Sequence, residues 1–252
     1  MFILVGVLAW CANVLSQSIF PGNNLIPLLA RSAVSLGILT ACYYVNLRFI
    51  HKNSLNTGIV KIKLRSTIEY LSGVLFAFGI IATIWIIVYM LHPFVVVSNG
   101  SSTTGVAVDT LNYSLSNTLE ELLFRGFLLL AAVKLLGGPV GALIISLSFG
   151  LFHLTGSGLT PEGLSMTITT FTMSLLLISL IFYTNSIWPA VTFHITGNLL
   201  LHTFGFDGGS DGKYRLIFAS TDMDVNLITL IYEIVVVGFA LLFYFKTPKN
   251  IV

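Results

Sequence analysis

The sequence contains few charged residues for its length. Lys, Arg, Asp and Glu make up 9% of its 252 residues, whereas soluble domains carry roughly 25%. Hydrophobic residues reach 56%, and the mean hydropathy is +0.94. This balance excludes an ordinary soluble domain and predicts an integral membrane protein whose surroundings are the lipid bilayer.

Basic runs and cysteine pairs are also missing. The net charge is +2, and no Lys/Arg run or RNA-binding aromatic motif occurs, so no nucleic acid is expected as a partner. Cys11 and Cys42 lie in apolar segments without CxxC spacing, which argues against a disulfide or a Cys-ligated zinc site. The opening segment MFILVGVLAWCANVLSQ lacks a basic region and a clear A-x-A cleavage site. We therefore predict a retained first span and no removed signal peptide.

Long apolar runs are present where charge is absent. A spanning helix needs about 20 mostly apolar residues. On this rule we predict an all-α membrane bundle of about eight transmembrane helices. It forms one integral membrane domain over 1–252, without a soluble module or an internal repeat. The predicted spans are 2–20, 25–47, 68–92, 117–136, 139–154, 163–183, 188–204 and 225–245.

Basic residues are unevenly divided between the predicted connections. Segment 93–116 contains no Lys or Arg, whereas segment 48–65 contains Arg48, Lys52, Lys61, Lys63 and Arg65. Because basic loops stay on the cytoplasmic side, we predict that 48–65 and both termini are cytoplasmic. Segments 93–116 and 205–224 are then outside. The expected location is the cell membrane, crossed several times.

Three charged residues lie close together in one apolar span, in NTLEELLFRGF at 117–127: Glu120, Glu121 and Arg125. An ionisable group at mid-membrane costs about 2.5–3.5 kcal/mol on insertion scales, so each is a functional candidate. One alternative is structural: Asn117 or Thr118 caps a helix start, and Glu121 pairs with Arg125 at i, i+4. A cap explains only one carboxylate. Repulsion between two adjacent carboxylates favours proton binding by one of them, which suits a general base.

Histidines mark two further spans. FGLFHL at 149–154 places His153 at the end of a span, with Phe149 one turn earlier and able to pack against its ring. FHITGNLLLH at 193–202 places His194, Asn198 and His202 four residues apart, on one helical face. Such a stripe is costly in lipid, so it should face the bundle interior or a wet cavity. For His153, an interfacial or hydrogen-bonded role is the alternative.

Together these groups predict hydrolytic chemistry. Carboxylates, two imidazoles and an amide can activate a water molecule and stabilise an oxyanion, as amide hydrolysis requires. Zinc stays open as a cofactor: no HExxH motif is present, and the histidines fit zinc only if a carboxylate completes the site. The candidate metal ligands in that case are Glu120, Glu121, His153 and His194.

The motifs EELLFR, FGLFH and HITGN resemble, in this order, the EExxxR, FxxxH and HxxxN/D motifs of the CAAX-protease and bacteriocin-processing family. This family, also called Abi proteins, consists of intramembrane endopeptidases and includes the type II CAAX prenyl endopeptidases. The resemblance covers about residues 116–205, the motif-bearing core. Each motif alone is weak, but three in the right order on neighbouring spans form a strong signal.

The resemblance implies a role for each matching residue. Glu120 would be the general base and would activate water together with His153. His194 and Asn198 would stabilise the oxyanion, and Glu121 with Arg125 would orient and balance these charges. The family is often labelled metalloprotease, and a metal-independent glutamate mechanism is the alternative. His202 lies outside the motif.

The expected function is therefore an intramembrane endopeptidase acting on a peptide precursor or on the terminus of a membrane-associated protein. A non-catalytic bacteriocin-immunity or scaffold protein of the same fold is the second interpretation. A small-solute transporter ranks third because no inverted repeat or broken helix pair is evident. The topology prediction places Glu120 and His153 near the outer ends of their helices, whereas relatives that cleave CAAX tails act from the cytoplasmic side.

Overall fold

The computed structural model describes residues 19–20, 25–50, 66–98, 103–204, 213–218 and 225–247. Helices dominate these residues. They are α1 (Leu25–Ile50), α2 (Ser66–Leu91), α3 (Thr103–Glu121), α4 (Leu129–Leu136), α5 (Gly138–Ser157), α6 (Pro161–Thr184), α7 (Trp188–Thr203) and α8 (Val225–Lys246). A π-helical segment, Leu122–Leu128, joins α3 to α4 without a break. The seven predicted spans from residue 25 onward each contain a helix, and the predicted span 2–20 lies almost wholly outside the described residues.

The helix boundaries follow local chemistry. Thr160 caps α6 by accepting a 3.0 Å hydrogen bond from the Gly163 N–H, and Pro161 begins the helix. Asn185 ends α6 in the left-handed conformation, with φ of 52°. Gly137 separates α4 from α5 at φ of 84°, a backbone conformation that L side chains rarely adopt. These residues fix the conformation of the short connections between helices α4 to α7.

Helix α3 begins earlier than the sequence predicted for the first motif. We expected a connection up to residue 116 and a helix capped by Asn117 or Thr118, but the helix begins at Thr103 and both residues lie inside it. The capping prediction is therefore wrong. The hydroxyl groups of α3 donate to the carbonyl one turn earlier, at Ser114, Ser116 and Thr118. This satisfies their polarity within the helix, which an average of hydropathy does not register.

The fold is mostly helical, as predicted, and a two-stranded sheet adds to it. Strand β1 (Phe94–Ser98) pairs antiparallel with β2 (Tyr214–Phe218), with Phe94 opposite Phe218 and Ser98 opposite Tyr214. Both strands lie in segments that we predicted to be outside, 93–116 and 205–224. Their pairing brings the two segments to the same end of the bundle, which we call the sheet end.

The core is formed where the helices pack against each other. Contacts join α5 to α6, α2 to α7 and α6 to α8. A Cβ at Gly73 of α2 would overlap the Pro189 carbonyl oxygen and the Thr192 hydroxyl of α7. Thr192 also donates a 2.9 Å hydrogen bond to the Tyr70 carbonyl. Helix α7 is therefore held tightly against α2.

Three of the described helices are long and apolar enough to cross a membrane: Thr67–Leu91, Pro161–Thr184 and Asn226–Lys246. Gly138–Leu154 is a shorter apolar helix. Many large apolar side chains on the outer faces are exposed, including Leu75, Ile86 and Ile234. Such exposure suits a lipid surrounding and supports assignment to the membrane.

Candidate active site

The first motif lies where α3 passes into the π-helical segment. Glu121 is the last residue of α3, and the backbone N–H of Leu129 bonds to the Phe124 carbonyl, five residues earlier. A residue four positions ahead lies about one turn further along the same face of the helix. This brings Arg125 beneath Glu121. Such π segments occur frequently at functional sites.

Glu121 and Arg125 form a fully buried ion pair. Arg125 Nη1 lies 2.9 Å from Glu121 Oε1, and both side chains are 0% exposed. The i, i+4 pairing predicted from the sequence is thus confirmed. Among the described residues no acceptor is aligned for a hydrogen bond with any guanidinium nitrogen. The Arg125 charge is balanced instead by the carboxylate and by the face of Phe149, whose ring centre lies 4.0 Å from Arg125 Cζ.

Helix α7 brings the third motif to the same carboxylate. His194 Nδ1 lies 2.9 Å from Glu121 Oε1, and the imidazole is almost completely buried. Only one carboxylate oxygen therefore meets both the guanidinium and the imidazole. Since Nδ1 is directed at Glu121, the other ring nitrogen, Nε2, lies on the side of the ring away from this carboxylate.

Asn117 belongs to the site, although the sequence analysis treated it only as a helix cap. Its side chain is 3% exposed, and its Nδ2 donates a 3.2 Å hydrogen bond to the His194 carbonyl. This bond ties α3 to α7 one turn before Glu121. The sequence contained a signal for this role: Asn117 and Glu121 are four residues apart, which places both on one face of a helix.

Phe149 lies at the centre of the aromatic part of the site. Its ring contacts His153 with centroids 4.6 Å apart, as the sequence predicted, and contacts His194 at 6.0 Å. Phe124 packs edge-on against it at 5.0 Å. His153 Nδ1 lies 2.9 Å from the Phe149 carbonyl, so the ring orientation is fixed by its own helix. Phe149 therefore joins the second motif to the other two.

The remaining predicted residues lie around this centre. Glu120 and Asn198 are half-buried, next to Glu121 in sequence and one turn along α7 from His194 respectively. The structure directly joins Glu121, Arg125 and His194, and it links His153 to them through Phe149. His202 is also half-buried, and its ring contacts Tyr113 of α3 at 5.4 Å.

The depth of the site differs from the expectation. Because α3 begins at Thr103, Glu121 lies about 27 Å along it, at a rise of about 1.5 Å per residue. His194 lies in the middle of α7. The Glu121–His194 pair is thus in the interior of the bundle, whereas the sequence placed the glutamates near the outer end of a helix.

The described residues fit a metal ion poorly. They contain no group of three or more His, Cys, Asp or Glu side chains placed to hold one, whereas a catalytic zinc takes three protein ligands. The positive guanidinium of Arg125 also lies against the Glu121 oxygen that faces His194. A cation at that oxygen would be repelled, so Glu121 and His194 together make a poor metal site.

Comparison with known proteins supports the family resemblance. Residues 104–200 match the family model of type II CAAX prenyl endopeptidase Rce1-like. No curated protein and no solved structure matches the chain. The matched segment contains all three motifs and runs from α3 into α7. The resemblance predicted from the three motifs is confirmed over residues 104–200, which are similar to the Rce1-like type II CAAX prenyl endopeptidase family.

Proposed function

We propose that this chain is a membrane endopeptidase that hydrolyses a peptide bond in a peptide precursor or in the terminus of a membrane-associated protein. The main support is the position of Glu121 Oε1, 2.9 Å from both Arg125 and His194. This contact joins the first and third motifs inside the segment that matches a family of endopeptidases. A buried charged cluster is costly in a membrane protein, and a catalytic task explains why it is present.

In this proposal Glu120 is the general base. Glu121 is fully buried and engaged by two partners, whereas Glu120 is half-buried beside it. Glu120, aided by His153, takes a proton from water while the water oxygen bonds to the carbonyl carbon of the substrate. The same proton passes to the leaving nitrogen when the C–N bond breaks, which regenerates the carboxylate.

His194 and Asn198 stabilise the oxyanion in this proposal. The Glu121 carboxylate accepts a hydrogen bond from Nδ1–H of His194, and in the proposed step the imidazolium donates from Nε2–H to the oxyanion. Asn198, one turn along α7, supplies the amide donor. The Arg125 guanidinium pairs with the Glu121 carboxylate and holds it in place, so both act through His194 as positioning residues.

Co-expression with a membrane-anchored peptide tagged at both ends tests the proposal. Wild type should separate the two tags, and Glu120→Ala should leave them joined. Glu162→Ala is the matched control, because Glu162 is exposed in the first turn of α6 and its loss should leave cleavage unchanged. Equal tag separation by wild type and Glu120→Ala would contradict the proposal. A wild type that cleaves no peptide of a broad set would favour the immunity or scaffold interpretation.

A further inference from the structure

Two polar stripes face each other along α3 and α7. On α3 the stripe is Tyr113, Asn117 and Glu121, and on α7 it is His194, Asn198 and His202. Each stripe repeats every four residues, so it lies on one helical face. The two helices are antiparallel here, since Glu121 meets His194 at one end and Tyr113 meets His202 two turns away. We call this paired arrangement the polar seam.

The two ends of the polar seam differ in exposure. Glu121 is 0% exposed, Asn117 3% and His194 5%. Tyr113, Asn198 and His202, towards the other end, are all half-buried. That other end is the sheet end of the bundle: Phe204, directly after α7, stacks on Tyr214 of β2 at 5.6 Å. The polar seam is therefore buried at the Glu121–His194 end and partly exposed at the sheet end, which we call the open end.

A peptide that reaches a buried centre needs polar partners on its way. Each unpaired backbone amide costs several kcal/mol in an apolar surrounding, and the polar seam offers phenol, imidazole and amide groups in an otherwise apolar bundle. Its length also matches a peptide. The two turns from His194 to His202 span about 12 Å, which an extended chain crosses in about four residues at about 3.3 Å per residue.

From this we infer that Tyr113 and His202 form a substrate subsite at the open end of the polar seam, which binds the peptide about four residues from the bond that is hydrolysed. This inference rests on the proposed function and goes beyond it, because it gives a direction of entry and a minimum substrate length. The subsite lies too far from Glu120 and His194 to act on the reacting atoms. It contributes binding only.

Thiol accessibility tests the open end without any substrate. Single cysteines replace His202 and, as the lipid-facing reference, the exposed Ile234 of α8, in a background without Cys11 and Cys42. A water-soluble, membrane-impermeant methanethiosulfonate should modify His202→Cys at least about 10-fold faster than Ile234→Cys, because the thiolate forms in water and scarcely in lipid. Equal, slow modification at both positions would overturn the inference.

Substrate length tests the subsite itself. On the cleaved peptide, trimmed residue by residue from each end, wild type should lose about 5- to 10-fold in kcat/KM when the fourth residue on one side is removed, as for the loss of one polar contact. His202→Ala should lose this length dependence, with a raised KM and little change in kcat, and His202→Gln should regain part of it. His92→Ala is the matched control, a half-buried histidine at the sheet end but outside the polar seam. It should behave as wild type.

The outcomes separate the two proposals. Cleavage by wild type but not by Glu120→Gln, with unchanged length dependence in His202→Ala, overturns the subsite and leaves the endopeptidase standing. Cleavage that persists in Glu120→Gln overturns the proposed mechanism instead. A lower kcat at constant KM in His202→Ala would also contradict a binding role.

Discussion

Glu121 Oε1 lies 2.9 Å from His194 Nδ1, although the two residues are 73 positions apart in the chain. The contact connects the end of α3 with the middle of α7, in the interior of the bundle. Arg125 meets the same oxygen at 2.9 Å. One carboxylate oxygen therefore pairs with the guanidinium of Arg125 and also orients the imidazole of His194.

The buried ion pair should show strong coupling in stability. Removing one partner leaves an uncompensated buried charge, so Glu121→Gln and Arg125→Gln should each destabilise the protein by about 3–5 kcal/mol. The double variant Glu121→Gln/Arg125→Gln should be more stable than the sum of the single losses predicts, because both charges of the ion pair are removed together. Thermal unfolding in detergent measures all three against wild type. Losses that simply add would show that the two side chains act independently.

The close contact between α2 and α7 should tolerate no side chain at Gly73. A Cβ there would overlap the Pro189 carbonyl oxygen and the Thr192 hydroxyl, and overpacking of this kind costs about 1–3 kcal/mol. Gly73→Ala should lower the unfolding temperature and reduce activity, since α7 carries His194. Gly79→Ala is the control on the same helix, because nothing lies within 4 Å of its Cβ position. An unchanged unfolding temperature in Gly73→Ala would mean that the two helices are farther apart.

The distribution of basic residues predicts the orientation in the membrane. A cysteine at Val95, which is 60% exposed on β1, should react with an impermeant thiol reagent in intact cells, and a cysteine at Asn56 should not. Both are placed in a background lacking Cys11 and Cys42. The reason is that segment 48–65 is basic whereas segment 93–116 contains no Lys or Arg, and basic loops stay on the cytoplasmic side. The reverse pattern would place the sheet end in the cytoplasm, on the side from which CAAX tails are cleaved.

Metal content separates the two mechanisms that the sequence left open. We expect purified wild type to contain no stoichiometric zinc and His194→Ala to match it, because Glu121 is paired with Arg125 and His194. Elemental analysis of both proteins, purified side by side without chelator, makes the measurement. About one zinc per chain in wild type that is lost in His194→Ala would show that His194 is a ligand. The glutamate mechanism would then be abandoned, and the fold and the family match would stand.

Much of the site was predictable because it rests on local spacing. The pairing of Glu121 with Arg125 and the packing of Phe149 against His153 both follow from four-residue separations on one helix. The contact of Glu121 with His194 joins distant segments, and the sequence pointed to it through the shared chemistry of the two groups and the order of the family motifs. Asn117 was interpreted as a cap, because the hydropathy of the preceding residues gave no sign of a helix.

The errors in the fold have a common physical cause. Averaging hydropathy over the length of a membrane span detects apolar helices and overlooks short or polar elements. Helix α3 is rich in hydroxyl groups that bond to their own backbone, as at Ser114 and Thr118, so it is a helix without being apolar. The β-branched run in Phe94–Ser98 and the Tyr, Ile and Phe of Tyr214–Phe218 are signals typical of strands. Both segments are too short to be detected in a search for membrane spans.

The central claim is that Glu120 is the base of a hydrolytic site organised by Glu121 and His194. The most direct measurement is the turnover of a cleaved peptide by purified Glu120→Gln in liposomes, beside wild type and the exposed control Glu162→Gln. The amide keeps the volume and removes the base, so we expect unchanged thermal unfolding and a rate lower by about 10²–10⁴-fold, with the control at the wild-type rate. A folded Glu120→Gln that turns over at nearly the wild-type rate would contradict the claim.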